Sequence, residues 1–373
     1  MASGDPVIDG KTTDLMNCVN VKASPYNAVG NRVANDTSAI NAAIAVANAS
    51  GATLFFPSGH YLVVAGSLSV IQTNVDGPDA IIQAYDTTNA PLISHAFYAV
   101  LEDENAKFFR LRALFGYGVS HGQVNPSPKY GQGLFLGADH VRGNSYEIQQ
   151  IMGFTHGLYM DGSVGDKHVA SNKFILGYIL GNTYGIFLRA GALQVEANRF
   201  EVELFQYNAN TIYCHSHPDE GAWQFVCSNL FDVTCMELHQ QTGDTGIVLY
   251  GANVYQNTFR INGSLVPGTG MVIWSGSAQN NRFQLSTCPF NKITMDAGNV
   301  FDLRTSEIGY PTVAGQVGRS RSVFMGSAPP TNFYCRVGDI CWNTVPVAGG
   351  AGTLLWACTT AGLPATWTAL TLH

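Results

Sequence analysis

The stretch Asn198-Arg-Phe-Glu-Val-Glu-Leu204 is one copy of a pattern in which Asn is followed two residues later by an aromatic residue and then by alternating apolar side chains. The pattern occurs seven times, beginning at Asn144, Asn172, Asn198, Asn229, Asn257, Asn281 and Asn299. The steps between successive Asn residues are 28, 26, 31, 28, 24 and 18 residues. A repeat of this length indicates a solenoid of stacked structural units.

A second apolar triplet follows each of the first six copies. The triplets begin at Leu158, Ile186, Ile212, Ile247, Met271 and Ile293. Four of these six residues lie 14 positions after their own Asn, so each turn is expected to hold at least two short strands. Strands of successive turns stack about 4.8 Å apart, which predicts an all-β parallel β-helix. The Asn then suits an αL bend or a side-chain ladder, and the aromatic residue suits an internal stack.

Composition agrees with this fold and limits the classes of partner. Only 12% of the 373 residues are charged and Gly numbers 40, as expected where nearly every turn buries one face. The net charge of −7 offers no basic surface for nucleic acid. We find no signal-peptide pattern and no run of 18 apolar residues, so neither Sec export nor membrane insertion is expected. The eight Cys lack metal-ligand spacing, which favours reduced core thiols and no cofactor, with a Cys341–Cys358 bridge as an alternative.

The N-terminal segment contains one convincing helix. Asp36 is a candidate N-cap for the run 37–50, and Gly51 is a natural stop. An amphipathic helix laid across the first turn would cover the end of the core. The predicted division is an N-terminal segment with this helix at 1–60, the β-helix at 61–309, a linker at 310–330 and a small C-terminal β module at 331–373.

Several stretches of the N-terminal segment resemble the opening of pectate-lyase-like right-handed β-helix proteins. These stretches are Val19-Asn-Val-Lys22, Asn27-Ala-Val-Gly30, Asn35-Asp-Thr-Ser-Ala-Ile40 and Gly51-Ala-Thr-Leu-Phe-Phe-Pro-Ser-Gly-His-Tyr-Leu62. Bacteriophage tailspikes and several polysaccharide-degrading enzymes share this opening. With the repeats, the resemblance covers roughly residues 19–309. It implies the fold strongly and the reaction weakly, because one fold hosts many chemistries.

A second resemblance lies near the C-terminal end. Gly338-Asp-Ile-Cys-Trp-Asn343, Trp356-Ala-Cys-Thr-Thr-Ala-Gly362 and Pro364-Ala-Thr-Trp367 are similar to a short module that follows the β-helix in many phage tailspikes. The resemblance implies a homotrimer, an end cap for the coil, and a place in a virion assembled in the host cytoplasm; secretion by a non-Sec route is the alternative. The rival reading is a carbohydrate-binding module that exposes Trp342, Trp356 and Trp367.

Strict alternation along the first strand of each turn predicts which side chains face solvent. If Phe200, Val202 and Leu204 point inward, then Glu201 and Glu203 point outward. The same register places Asp232 beside Glu201 on the next turn, with Arg260 one turn further. Paired carboxylates of this kind suit glycoside hydrolysis, and Arg260 would adjust their proton affinity. The alternatives are a solvated charged ladder closed by Arg260, a salt bridge between subunits, or a metal site.

The second strand of each turn offers a different set of outward side chains. Tyr159, Phe187 and Tyr213 would form one aromatic column, with Tyr250 and Trp274 in the neighbouring column. Aromatic rings pack against the C–H faces of sugars, but loops or a neighbouring subunit would cover such a strip equally well. The following segment 215–223 concentrates His215, His217, Asp219, Glu220 and Trp223. It suits a substrate wall, an acid/base role, an ordinary surface loop, or a metal site.

Together these features predict a tailspike-like protein that binds and depolymerises a bacterial surface polysaccharide, most simply by hydrolysis. Glu201, Glu203 and Asp232 are the predicted catalytic set. The predicted substrate-binding residues are Arg260, Tyr213, His215, Trp223, Arg189, Tyr159, Tyr250 and Trp274. The first alternative is a lyase acting on a uronic-acid polymer, with Arg189 or Arg260 neutralising the carboxylate and His215 or Tyr213 as the base. The second alternative is a non-catalytic adhesion spike.

Overall fold

The computed structural model describes most of the solenoid and parts of the C-terminal region. The described residues are 17–97, 106–120, 128–137, 140–162, 168–191, 194–216, 224–237, 245–262, 273–276, 278, 280–286, 292–294, 300–303, 312–314, 323–326, 328–329, 339–343, 353–362 and 364–371. Asn299, the seventh repeat Asn, and Trp223 lie outside these residues.

The chain folds as a right-handed parallel β-helix built from three long sheets, as predicted. Sheet 1 contains Cys18–Asn20, Asn31–Asn35, Thr53–Phe55, Gly59–Val63, Val75–Ala84, Phe108–Phe115, Ser145–Met152, Lys173–Leu180, Arg199–Gln206, Leu230–Glu237, Thr258–Asn262, Arg282–Ser286 and Val300–Leu303. Sheet 2 contains Pro91–Ser94, Gln132–Leu136, His156–Asp161, Tyr184–Ala190, Asn210–Ser216, Thr245–Tyr250 and Ile273–Gly276. Sheet 3 contains the two-residue strands Val141–Arg142, Val169–Ala170, Val195–Glu196, Val226–Cys227 and Val254–Tyr255.

The repeated Asn residues form a buried side-chain ladder at the corner between sheets 3 and 1. In each step the Oδ1 atom of one Asn accepts hydrogen bonds from the backbone N and the Nδ2 atom of the Asn one turn earlier, from Asn144 to Asn281. The ladder is therefore confirmed. The αL bend lies one residue earlier, at Gly143, Ser171, Ala197, Ser228, Gln256 and Asn280.

The aromatic residues two positions after these Asn residues stack inside the coil, as predicted. The rings of Tyr146, Phe174, Phe200, Phe231, Phe259 and Phe283 lie 4.5–5.0 Å apart between neighbouring centroids. All six side chains are buried. The hydroxyl of Tyr146, the first ring of the stack, forms a hydrogen bond with the buried His95 ring. Stacked aromatic rings of this kind add to the stability of the core.

A second, shorter ladder lies at the corner between sheets 1 and 2. Asn182 and Asn208 are buried there, and Asn182 donates from Nδ2 to Oδ1 of Asn208 at 3.0 Å. The residues just before them, Gly181 and Tyr207, have positive φ values. At this corner the chain passes from sheet 1 to sheet 2. The sequence pattern did not predict the corner.

Sheet 1 carries one irregularity that repeats in every central turn. Pairing runs from Val202 with Val233 directly to Leu204 with Cys235, passing over Glu203 and its neighbour Thr234. We call this interruption the kink. Glu203 is exposed, Leu204 is half-buried against an apolar cluster outside the main core, and Phe205 is buried inside. The prediction that Leu204 points inward is therefore wrong, because the kink sets two consecutive side chains on the outer face.

Helix α1 spans Thr37–Ser50 and buries Ile40 and Ile44 against the first turns, as the cap prediction required. Gly51 ends it in the αL conformation at φ 68°. Asp36 occupies the N-cap position, but its carboxylate accepts from the backbone N of Val29 and Gly30 instead of from the helix. Sheet 1 already includes Cys18–Asn20, which lies before the predicted boundary at residue 60.

The C-terminal region forms a four-stranded sheet from Val323–Gly326, Ile340–Asn343, Thr353–Thr360 and Thr366–Thr371. A separate pair joins Lys292–Thr294 to Thr312–Ala314, so the predicted linker contains strands. Cys341 and Cys358 are buried, and no disulfide joins them. Within the described residues, no helix is long and apolar enough to cross a membrane.

Candidate functional site

The predicted acids lie together in an open depression on the outer face of sheet 1. Glu201 and Asp232 are direct partners on neighbouring strands, and Glu203 follows at the kink. The depression has a volume of about 600 Å³. Its floor also includes Glu147 and Tyr178. The register that the sequence predicted for Glu201 and Asp232 is therefore the register of the structure.

Two cations contact Glu201. Its Oε1 atom lies 2.9 Å from Nε of Arg199 and 3.5 Å from Nζ of Lys173. Arg199 belongs to the same strand, and Lys173 belongs to the strand one turn earlier. These ion pairs stabilise a carboxylate, although all three side chains are partly solvated and each pair contributes little to stability.

Glu203 has a different partner, which the sequence did not predict. The hydroxyl of Tyr178 donates to Oε1 of Glu203 at 3.1 Å. This hydrogen bond and the negative charge of Glu203 raise the pKa of Tyr178, with a smaller contribution from burial. Tyr178 reaches the depression because the kink turns it outward directly after Gly177.

Arg260 occupies its predicted place on the turn after Asp232, but its side chain is directed elsewhere. Arg260 and Asp232 are strand partners. The Nε atom of Arg260 donates to Oε1 of Gln284 at 3.0 Å. Among the described residues, no ion pair joins Arg260 to Asp232. The alternative in which Arg260 closes the charged ladder by an ion pair with Asp232 is therefore not observed.

The outer face of sheet 2 carries a continuous group of half-buried rings, which we call the aromatic platform. It comprises Phe135, His156, Tyr159, Tyr184, Phe187, Tyr213, His215 and Tyr250. Phe187 and Tyr213 stack with centroids 4.9 Å apart, as the predicted column requires. Phe135, His156 and Tyr184 were not predicted. His156 lies three residues before Tyr159, and Tyr184 lies three residues before Phe187. Strand pairing passes over the Gly that follows each of them, and this second interruption turns His156 and Tyr184 outward.

Polar groups border the platform. Tyr159 donates from its hydroxyl to Oδ2 of Asp161 at 2.6 Å, and Nη1 of Arg189 lies 3.9 Å from the same oxygen. Burial and the Asp161 contact raise the pKa of Tyr159. Burial lowers the pKa of His156 to about 4 despite the nearby charge of Asp161. Arg189 and His215 are direct strand partners, so a cation and an imidazole lie side by side.

The structure separates the acids from the aromatic residues predicted to serve them. Among the described residues, those that line the acid depression all belong to sheet 1. Leu204, Gln206 and the corner 207–209 lie between the acids and the platform along the same turn. The two sets therefore lie on different faces of the coil, since the corner at Asn208 lies between sheet 1 and sheet 2.

Trp274 also departs from its predicted place. Its backbone pairs with Val248, which puts it in the column of Tyr213 instead of that of Tyr250. The strand that carries it, Ile273–Gly276, is the seventh of sheet 2, and the predicted first residue Met271 lies outside the described residues. No group of three or more His, Cys, Asp or Glu side chains suited to a metal occurs in the part of the chain that the structure describes. His217, Asp219, Glu220 and Trp223 lie outside that part.

Residues 18–98 match a family model described as rhamnogalacturonase A/epimerase, pectate lyase-like. This segment is similar to pectate-lyase-like proteins. The predicted resemblance is confirmed there, on the turns that carry α1 and the start of sheet 1. No curated protein is significantly similar to the chain in sequence.

Among solved structures, the chain is similar to the Dettilon tailspike protein, with 15% identity, 80% of this chain and 69% of that chain covered, and a TM-score of 0.43. The ORF18 protein of Geobacillus virus E2 matches with 12% identity, coverage of 95% and 76%, and a TM-score of 0.39. PfbA, a surface adhesin of Streptococcus pneumoniae, matches with 11% identity, coverage of 95% and 99%, and a TM-score of 0.28. At these values the likenesses do not bear on activity or partners.

Proposed function

We propose that this protein binds a bacterial surface polysaccharide along the outside of its β-helix and hydrolyses it at the acid depression of sheet 1. The observation that supports this most is the pairing of Glu201 with Asp232 on adjacent strands, next to Glu203. The pectate-lyase-like segment favours a polysaccharide as the substrate. The resemblance to tailspikes favours a place in a virion and a homotrimer.

The surroundings of the acids favour different roles for each. Glu201 contacts Arg199 and Lys173, which suits a carboxylate that attacks the sugar or activates water. Asp232 lies beside that carboxylate and has no cation within 4.0 Å among the described residues, which suits the proton donor. Cβ atoms directly opposite on neighbouring strands are about 5 Å apart, from which the two carboxyl groups can reach the spacing of either a retaining or an inverting enzyme.

The test is incubation with a panel of capsular and O-antigen polysaccharides, followed by mass spectrometry and a reducing-end assay. We expect new reducing ends without an unsaturated uronide. Glu201→Gln and Asp232→Asn should each lower kcat by about 100-fold or more. Glu196→Gln is the matched control, because Glu196 is a half-buried carboxylate on sheet 3, away from the depression. Full activity in both acid variants would reject the proposed site.

A lyase on a uronic-acid polymer is the second candidate, and one observation favours it. Arg189 and His215 are neighbours on sheet 2, so Arg189 would neutralise the uronate carboxylate while His215 or Tyr213 removes the adjacent proton. Arg260 lies on sheet 1 and does not fit this role. An unsaturated product that is lost in His215→Ala and kept in Asp232→Asn would select this candidate. Retention of a polysaccharide without any cleavage would select the non-catalytic spike.

A further inference from the structure

A second depression lies on the outer face of sheet 1, near the end covered by α1. Its volume is about 670 Å³. Its walls come from the strands Cys18–Asn20, Thr53–Phe55, Val75–Ala84 and Phe108–Phe115. The lining side chains include Asn20, Asn74, Asp76, Phe108 and Arg110.

One straight row of outward positions joins this second depression to the acids. Strand pairing connects Asp76 to Arg110, Arg110 to Glu147, Glu147 to Ile175, and Ile175 to Glu201. Neighbouring strands are about 4.8 Å apart, so four steps place Asp76 roughly 19 Å from Glu201 along the coil. An extended polymer lying on this face would therefore reach both depressions.

Asp76 and Arg110 form an ion pair in the wall of the second depression. The Nε and Nη2 atoms of Arg110 each lie 2.8 Å from Oδ1 of Asp76. The pair orients the carboxylate, and its two charges compensate each other. The second depression thus offers hydrogen-bonding atoms without an excess of either charge, which favours an uncharged ligand over an anionic one.

The remaining groups suit a hydroxyl-rich ring. Oδ1 of Asn74 accepts from the backbone N of Phe108 at 3.0 Å, and Oδ1 of Asn20 accepts from the backbone N of Lys22 at 2.9 Å. In each case the amide oxygen is used and the NH₂ group is the part of the side chain left to donate. Phe108 is 41% exposed, an apolar ring among these polar groups. Donors, an oriented carboxylate and an apolar ring are what a pyranose needs.

We propose that the second depression is a non-catalytic subsite that binds an uncharged sugar unit of the same polymer that the acids cleave. This inference rests on the proposed function, because it takes the polymer from there. The subsite anchors the chain while cleavage occurs roughly 19 Å away, four strands along the sheet. Long polymers gain from this anchor, whereas fragments too short to span both depressions do not.

The test compares Phe108→Ala with Phe108→Tyr and with Tyr85→Ala, an exposed aromatic residue outside both depressions. The substrate is the polysaccharide of the panel that the wild-type protein cleaves, used as full-length polymer and as short fragments. In Phe108→Ala we expect KM for the polymer to rise about tenfold, equivalent to about 1.4 kcal/mol, with kcat unchanged. KM for the fragments should not change, and Phe108→Tyr and Tyr85→Ala should behave as the wild type.

Retention of the same polymers on immobilised protein separates this inference from the proposed function. If cleavage occurs but Phe108→Ala leaves KM for the polymer unchanged, the subsite is rejected and the hydrolase stands. If no polymer is cleaved but one is retained, and Phe108→Ala loses that retention, the hydrolase is rejected and the binding site stands. A polymer retained equally by the wild type and Phe108→Ala, or no retention of any polymer, overturns the subsite.

Discussion

At the scale of single residues, the ladder Asn side chains supply hydrogen bonds at a corner where the sheets end. Nδ2 of Asn198 donates to the carbonyl O of Val169 and to Oδ1 of Asn229, while its own Oδ1 accepts from the backbone N of Asn172. Asn198 is 1% exposed, so water cannot replace these bonds. Each ladder Asn is therefore a structural requirement of its turn.

Replacing Asn198 with Ala should destabilise the protein by about 3 kcal/mol or more, because it leaves the backbone N of Asn172 and the carbonyl of Val169 buried without partners. Urea unfolding followed by circular dichroism measures the change. Asn210→Ala, at a half-buried position on sheet 2, should stay within about 0.5 kcal/mol of the wild type. Equal midpoints for the two variants would contradict the role given to the ladder.

His95 gives the fold a pH dependence. Its Nε2 lies 3.2 Å from the carbonyl O of Thr73, which can only accept, so Nδ1 must accept from the Tyr146 hydroxyl at 2.9 Å. Burial lowers the pKa of His95 from 6.5 to about 4, and the bond to Thr73 only partly opposes this. The unfolded chain therefore binds the proton more readily than the folded one.

The stability that His95 gains by staying neutral is fully present above its unfolded pKa of 6.5 and is lost as the pH falls towards about 4. The total loss should approach about 3 kcal/mol. His156, with a pKa of about 4, adds in the same direction. Urea unfolding across this pH range measures it, and His95→Gln should show a flatter pH dependence. An unchanged slope in that variant would disprove the assignment.

At the scale of elements, the kink in sheet 1 decides which side chains form the acid depression. It sets Tyr178 outward next to Gly177, and it places Glu203 before Leu204 on the same face. Gly177 is required at this point: a Cβ atom there would lie 2.4 Å from the carbonyl O of Gln149. This carbonyl belongs to the backbone of the adjacent strand, so it cannot move aside as the end of a flexible side chain could.

Gly177→Ala should therefore destabilise the protein by roughly 1–3 kcal/mol, since the two strands must separate locally. The change should also lower cleavage by disturbing the contact between Tyr178 and Glu203. Differential scanning calorimetry and the reducing-end assay measure the two effects. Gln149→Ala is the matched control for stability, because Gln149 holds the equivalent position one turn earlier with an exposed side chain. Equal melting temperatures for the two variants would show that the close approach is relieved without cost.

The sequence predicted the elements where periodicity is strong and failed where one residue breaks it. The Asn spacing predicted the ladder, the aromatic stack and the pairing of Glu201 with Asp232, because each of these repeats once per turn. It did not predict the kink, since two consecutive outward residues such as Glu203 and Leu204 leave no pattern in hydrophobicity. The strands of sheet 3 were missed because two residues are too few to show alternation.

At the scale of the whole molecule, the three sheets present separate faces to solvent. Acids lie on sheet 1 and the aromatic platform lies on sheet 2, and the corner at Asn208 separates them. The sequence predicted the two sets on successive strands of each turn, but it did not predict the corner at Asn208 that lies between them. A polymer on sheet 1 therefore need not touch the platform, which leaves that face open to a different contact.

We expect the protein to be a homotrimer, as the resemblance of its C-terminal module to tailspikes implies. Sedimentation equilibrium should give three times the chain mass of 40.0 kDa. A monomer at micromolar concentration would remove that support. Removal of residues 331–373 should lower the mass if this module drives assembly, whereas Tyr213→Ala should lower it if the platform is the contact.

The ladder has a further consequence for what the chain can tolerate. Its backbone-to-Oδ1 hydrogen bonds are 3.0 or 3.1 Å in all five steps from Asn144 to Asn281. The connections from sheet 2 to sheet 3 nevertheless range from three to nine residues in the turns that end at Val169, Val195, Val226 and Val254. New segments can therefore be grafted at these four connections while the coil keeps its pitch. The segments that connect sheet 2 to sheet 3 can therefore change in length and sequence, and with them the ligand that is bound, while the fold stays the same.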